Sequence, residues 1–207
     1  MEKSVTVCGF YRIGQTGPGN PTGASEATGK NTGASGNGER MEVIRLTEPQ
    51  WQAYAALRLR ALADSSGASD HQYRDEAQFT EAEWRRRVRA HAQFAVAGPE
   101  RLIGLIGAQR TGTGPVYLYS LWTDPAVRRR GIARALVAAA VQWAGVHGAG
   151  LVTLRVASTN TAAIAVYREA GFTIDSDRIV GTADRSENQV PAGELTMSLS
   201  LCPRSGR

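Results

Sequence analysis

Apolar and polar residues alternate along this chain in two rhythms, and the changes of rhythm mark its elements. Leu195, Met197, Leu199 and Leu201 alternate with Thr196, Ser198 and Ser200, the period of a half-buried strand. Ile132, Ala135, Leu136, Ala139, Trp143 and Val146 recur at three- and four-residue intervals instead. That spacing predicts a helix from Gly131 to Val146 with one buried face, ended by Gly148 and Gly150. Trp51, Tyr54, Ala55, Leu59 and Leu62 predict another over Glu48 to Leu62. A helix from Thr80 to about Ala90 is expected because Thr80 and Glu83 have capping-box spacing. Asn160 as N-cap and Gly171 as stop bracket a last one.

Further strands are predicted over Glu42 to Leu46, Val116 to Thr123, Leu151 to Val156 and Phe172 to Val180. Gln93 to Ala97 and Leu102 to Arg110 read as a hairpin around Gly98-Pro99-Glu100. Pro125 holds Asp124 out of helical space and closes the strand before it. Asp64 to Gln78, with His71 and Tyr73, reads as a polar loop. The order is β, two helices, three strands, helix, strand, helix, two strands. It predicts an α/β fold in a single domain.

Composition sets the limits of that domain. Gly14 to Gly38 is rich in Gly, Thr, Ser, Asn and Ala and nearly empty of large apolar groups, so residues 1–40 are expected to be a disordered tail. Gly23 to Lys30 has the wrong glycine spacing for a phosphate-binding loop, no Ser or Thr after Lys30, and no strand leading in. Met41 to Leu46 looks like a fresh start, and Met41 as the true initiator is one expectation. The folded domain is expected over 41–202, with a short basic tail over 203–207. Cys8 and Cys202 suggest neither a disulfide framework nor a metal site, which points to a reducing cytoplasm. No apolar run has membrane-spanning length. The net charge of +5 invites a nucleic-acid partner, but no basic stripe interleaved with aromatics supports one.

Chemistry concentrates in Val127-Arg128-Arg129-Arg130-Gly131-Ile132-Ala133-Arg134-Ala135-Leu136. A strand leads into this segment and a helix leaves it. The first turn of a helix has amide hydrogens without intrahelical partners, and the helix dipole adds partial positive charge there. Gly131 allows close approach of a ligand, small Ala133 leaves room above the turn, and three arginines stand at the mouth. A pyrophosphate suits such a site.

The segment resembles the acyl-CoA-binding signature of the GCN5-related N-acetyltransferases, Arg/Gln-x-x-Gly-x-Gly/Ala, with Arg128, Gly131 and Ala133 in the fixed places. The strand, Asn160, the helix bearing Tyr167 and Gly171-Phe172 resemble the same superfamily's following unit, and together the likeness covers roughly Met41 to Leu201. It implies a mixed sheet flanked by helices, and transfer of acetyl from acetyl-CoA, as cosubstrate and without a metal, to a primary amine of a small molecule or of a protein or peptide. The amine attacks directly in a ternary complex. A non-catalytic acyl-CoA-binding or regulatory module on the same fold is the alternative. Leu121, Trp122 and Thr123 would offer backbone amides to the thioester and the pantetheine arm. Arg128, Arg129, Arg130, Gly131, Ile132, Ala133 and Arg134 would hold the pyrophosphate, with arginine side chains on the outer phosphates, and Asn160 would reach the cofactor arm. Tyr167, two turns beyond Asn160, would protonate the departing thiolate.

The resemblance leaves the general base unassigned. Where some relatives carry Glu on the strand before the pyrophosphate loop, this chain has Tyr117, Tyr119 and Ser120. Where the ribosomal-protein acetyltransferase branch carries Glu on the next strand, Arg155 stands, and arginine cannot accept a proton. Glu83, His71, Asp70 and Glu194 stay open, as does a water relay. The segment from Asp64 to Ala90 would line the acceptor side, its acids Asp64, Asp70, Asp75, Glu76, Glu81 and Glu83 either attracting a cationic amine or simply complementing a helix start. A homodimer, common in the superfamily, is also open.

Overall fold

A computed structural model of the chain describes residues 42–67, 69–110, 112–175 and 193–201. The tail over 1–40, Met41, both cysteines and residues 203–207 lie outside these. Strand β1 (Val43–Arg45) leads through a single 3₁₀ turn to helices α1 (Trp51–Ser65), α2 (His71–Ala77) and α3 (Glu81–Ala90). Strands β2 (Ala92–Ala97), β3 (Leu102–Arg110) and β4 (Val116–Thr123) come next, then α4 (Ile132–Val146), β5 (Leu151–Ala157), α5 (Thr161–Glu169), β6 (Thr173–Ile174) and β7 (Glu194–Ser200). The strands form one seven-stranded sheet in the order β1-β2-β3-β4-β5-β7-β6. Among the described residues only β4 and β5 run parallel. This is the predicted α/β fold, with the mixed sheet flanked by helices that the family resemblance implies.

Two faces of the sheet are covered by different helices. Phe94 of β2 meets Trp143 of α4 edge-on, a favoured aromatic geometry, with ring centroids 6.5 Å apart. Gly104 of β3 lies beneath the same helix. A Cβ there would sit 2.9 Å from Ile132 and 3.2 Å from Leu136, so the bare backbone lets α4 seat on the sheet. On the other face Gln93 donates to the Arg87 carbonyl of α3 at 3.0 Å, and Tyr54 of α1 meets Trp84 of α3 edge-on at 5.7 Å. Residues opposite one another on paired strands share a face. The row Gln93, Gly107, Tyr119 across β2, β3 and β4 therefore belongs to the face of α1 and α3.

Two expectations are corrected. The predicted polar loop from Asp64 to Gln78 contains α2, and α1 runs on to Ser65. Seven mostly polar residues have too little apolar spacing to announce a helix. What holds α2 is tertiary: Asp70 caps it by accepting from Gln72 N–H at 2.9 Å, and Glu76 is anchored from α1. The predicted helix from Glu48 begins as a 3₁₀ turn, Glu48–Gln50, before α1 proper. Of the strand predicted over Phe172 to Val180, Thr173–Ile174 pairs with β7, and the part beyond Asp175 lies outside the described residues.

Candidate active site

Strand β4 is distorted in its middle. Gly107 of β3 faces Tyr119 while Leu105 faces Trp122, so β4 carries one extra residue there. Ser120 takes it up with φ of 56°, a left-handed value rare for a residue with a side chain. Such a bulge bends a strand and re-aims its next residues. The parallel pairing of β4 with β5 stops at the same level, since Val116, Tyr117 and Leu118 face Val152, Thr153 and Leu154 and no later pair forms. Past that level no further pair joins β4 to β5 among the described residues, and the Leu121–Thr123 stretch of β4 borders a cavity instead, with the Thr123 carbonyl taken by Arg128.

A cavity of about 610 Å³ lies past this parting, between the start of α4 and one side of α5. Leu121, Trp122 and Thr123 line it from β4; Arg128, Arg129, Gly131, Ile132, Ala133 and Arg134 from the turn into α4; Asn160, Ala163 and Val166 from α5. Sequence reasoning singled out most of these residues, and the fold brings them to one place. Arg130 is exposed and is not among the lining residues. The turn owes its shape to two left-handed residues, Arg129 at φ 63° and Gly131 at φ 80°, with Gly131 as the N-cap of α4. The amides of that first turn face the cavity with the positive end of the helix dipole behind them.

The arginines divide their work. Arg128 reaches back into the protein, donating from Nη2 to Asp64 Oδ2 at 2.6 Å and from Nε to the Thr123 carbonyl at 3.3 Å. Asp64 Oδ2 also accepts from Trp122 Nε1–H at 2.8 Å, so one carboxylate at the end of α1 ties β4 to the turn. Arg134 pairs with Glu169 across the cavity rim at 2.7 Å, a solvent-exposed contact of small energetic weight. Arg129 is exposed at the mouth. Asn160 spends its side-chain oxygen on the Ala163 amide at 2.8 Å, capping α5 while lining the cavity.

Tyr167 is buried, 1 % exposed, with its ring edge-on to Phe172 at 5.8 Å. It does not line the cavity, but Ala163, one helical turn before it on the same side of α5, does. Burial, with a smaller contribution from Tyr117, pushes its phenol above the ordinary value, so it is protonated at every working pH.

Apart from exposed Asp75, the acids named in the α1–α3 region are already committed to the protein. Asp64 holds Arg128 and Trp122, and Asp70 caps α2. Glu81 pairs with Arg85, and Glu83 closes the capping box with Thr80, whose hydrogen bonds hold its carboxyl below the usual range. Glu76 is buried: Arg58 donates to it twice at 2.7 Å, and Arg87 approaches at 3.2 Å. Of the groups left open as base, His71 is largely exposed beside Asp70, and Glu194 faces Arg155 at 3.9 Å. Sequence reasoning missed two arrangements. The Arg58–Glu76 pair reaches the bulge, with Arg58 Nη1 donating to Ser120 Oγ at 2.8 Å. His91, just before β2, is joined through Nδ1 to the Tyr119 hydroxyl. Partners 62 and 28 residues apart leave no local signal. Among the described residues no group of His, Cys, Asp and Glu is placed to hold a metal ion, and no helix is long and apolar enough to cross a membrane.

Comparison with known proteins agrees with this geometry. The N-alpha-acetyltransferase RimI of Mycobacterium tuberculosis is 39% identical over 74 residues, 34% of this chain and 45% of that protein. The mycothiol acetyltransferase of Gordonia bronchialis is 35% identical over 79 residues, 38% of this chain and 26% of that protein. The chain thus spans less than half the length of these curated relatives. The structure of the PaiA N-acetyltransferase from Thermoplasma acidophilum, in complex with coenzyme A, superposes with a TM-score of 0.60 at 13% identity, covering 78% of this chain and 99% of that one, a likeness of fold. Residues 51–172, more than half of the chain, match the Acetyltransferase (GNAT) family, and with the bulged β4 and the turn into α4 in place the chain belongs to that family.

Proposed function

We propose that this protein is an acetyl-CoA-dependent N-acetyltransferase acting on a primary amine by direct attack in a ternary complex. The observation that carries the reading is the convergence, in one cavity, of the β4 stretch past its last pair with β5, a helix N-terminus with its glycine cap, and exposed Arg129. The cavity's donors suit a long ligand with phosphates at one end. Amides of the Arg128–Arg134 turn hold the pyrophosphate, Arg129 and Arg134 meet the outer phosphates, and Asn160 borders the arm between. Arg128 acts through its tie to Asp64, which fixes the turn, more than through a phosphate. The free edge of Leu121–Thr123 pairs with the amide-bearing pantetheine arm as a further strand would.

The acyl thioester supplies an activated carbonyl; the chain's part is placement and charge. An amide of the β4 edge stabilises the oxyanion that forms on attack. Tyr167 donates toward the sulfur as the carbon–sulfur bond breaks. A primary amine of a small molecule and one of a protein or peptide both satisfy this chemistry. The test is thiol release from acetyl-CoA across polyamines, amino acids, aminoglycosides and peptide N-termini. Release dependent on the amine is expected. Acetyl-CoA binding with no release for any amine would favour a non-catalytic acyl-CoA-binding module instead.

Ala133→Leu probes the cavity itself. Ala133 is half-buried at the first turn of α4 and lines the cavity, so a larger side chain occupies the room proposed for the pyrophosphate. Affinity for acetyl-CoA, followed by calorimetry, is expected to fall by about tenfold or more, worth roughly 1.4 kcal/mol. The melting midpoint should stay near that of the parent, because leucine is a good helix former. Unchanged affinity would remove the pyrophosphate from this turn.

A further inference from the structure

The face of the sheet beneath α1 and α3 carries a polar row that the proposed cofactor site does not use. Tyr119 is the first residue of β4 beyond the last pair with β5, at the point where the strands part. Its side chain shares a face with Gln93 and crosses the level of Gly107, which has no side chain, to join His91 Nδ1. The Tyr117 ring stacks on that of Tyr119, with centroids 6.1 Å apart and planes 10° from parallel. Arg155 of β5 hydrogen-bonds to Tyr117, and Glu194 lies 3.9 Å from the same guanidinium. Two buried oxygens on this face, Gln93 Oε1 beside Tyr119 and Thr196 Oγ1 opposite Arg155, have no hydrogen-bond partner among the described residues. Buried polar atoms are rarely left so. The two stand four strands apart, on β2 and β7, so each is a separate place on this face where a water or the polar part of a ligand would meet that demand.

Resting on the transferase reading, we propose that the acceptor's ammonium group loses its proton to the Tyr119 oxygen while the Tyr119 hydroxyl proton passes to Nδ1 of His91. The free amine then attacks the acyl carbon. The second nitrogen proton, released as the tetrahedral adduct collapses, restores the one Tyr167 gives to sulfur. The proton on His91 leaves to solvent, which accounts for the one proton the overall reaction releases. Arg155, two residues beyond Thr153 on β5, hydrogen-bonds to Tyr117 and can accept nothing. Asp70, Glu76, Glu81 and Glu83 around α2 and α3 are held in ion pairs and caps. Among the described residues of β2, β3 and β4 on this face, His91 at the head of β2 is the imidazole, the side chain whose ordinary pKa lies near neutrality.

The surroundings of His91 favour its neutral, accepting form. Half-burial, then the Arg87 guanidinium of α3, lower its pKa from the ordinary 6.5. Tyr119 faces it from β4, and Gln93 stands two residues on along the chain. A depressed pKa means that the base is present above that value and lost as pH falls through it. The acid limb of kcat/KM for the amine is therefore expected below pH 6.5.

Two measurements test the relay. In the free protein, His91 is followed by its ring proton in NMR, assigned with His91→Gln. Its midpoint is expected below 6.5 and should rise in Tyr119→Phe, because the phenol's hydrogen bond favours the neutral ring. In the pH profile, His91→Gln and Tyr119→Phe should each lower kcat/KM for the amine by about 10²-fold at neutral pH, abolish the low-pH limb, and leave acetyl-CoA affinity unchanged. A limb that persists at the same pH in both variants overturns the proposal, as does an NMR midpoint indifferent to Tyr119. No amine-dependent release from the parent enzyme would refute the transferase reading, and the relay with it. Release from the parent that both variants share refutes the relay alone.

Discussion

Tyr167→Phe is expected to bind acetyl-CoA as the parent does and to turn over more slowly by about 10²–10⁴-fold, the range for loss of a general acid. The expectation comes from two facts that pull against each other. The buried phenol never ionises at working pH, so it always carries the proton it has to give. The same burial makes it a weaker acid than an ordinary tyrosine, and a thiolate whose acid has a pKa near about 8.5 is no strong claimant for that proton. Full transfer is then uphill unless the adduct's own nitrogen proton returns to the phenol in the same step. A deficit toward the lower end of the range fits a phenol that mainly hydrogen-bonds the developing thiolate. The substitution removes one oxygen and keeps the ring against Phe172, so the melting midpoint should move little. Turnover unchanged under conditions where chemistry limits would assign Tyr167 to packing alone.

Legibility in the sequence tracks the range of the forces involved. The capping box at Thr80 and Glu83 and the periodic face of α4 are local, set by residues three or four apart, and they appear where expected. So do the strand, turn and helix that place Gly131 at the start of α4, because strand-forming residues, Pro125 and an apolar helical stripe each act over a few positions. Helix α2 is not legible, since its anchor is Glu76 held by Arg58 from another element. The bulge at Ser120 has no signal in Tyr-Ser-Leu. It appears only when β4 is registered against β3. The acids from Asp64 to Glu83 look in sequence like an attractive patch for a cationic amine, but every one of Asp64, Asp70, Glu76, Glu81 and Glu83 has a cation, cap or indole to serve. Arg128 shows the same limit. Its place in the motif is local, but its tie to Asp64 is not.

The buried pair beneath the bulge should give the largest loss of stability. Arg58 and Glu76 are 1 % and 2 % exposed. Glu76→Ala strands the Arg58 guanidinium in the core, and breaking one side of a buried pair costs about 3–5 kcal/mol. For a domain of this size the melting midpoint should drop by roughly 10 °C. Replacing both partners, Arg58→Met with Glu76→Leu, removes the unpaired charge, and Arg87, partly exposed, can turn to solvent. Most of the stability should then return, since buried pairs exchanged for apolar groups are often neutral. Function should not return with it. Arg58 also donates to Ser120 Oγ, at the residue whose left-handed backbone aims Leu121–Thr123 along the cavity. Without that contact the bulge itself loses its tie to α1, leaving the Asp64–Trp122 bond two residues on, and turnover should stay down by about 10–10²-fold, the scale of a small misplacement of reacting groups. A double variant that regains both stability and full turnover would show that the pair serves the fold and that the bulge keeps its shape unaided.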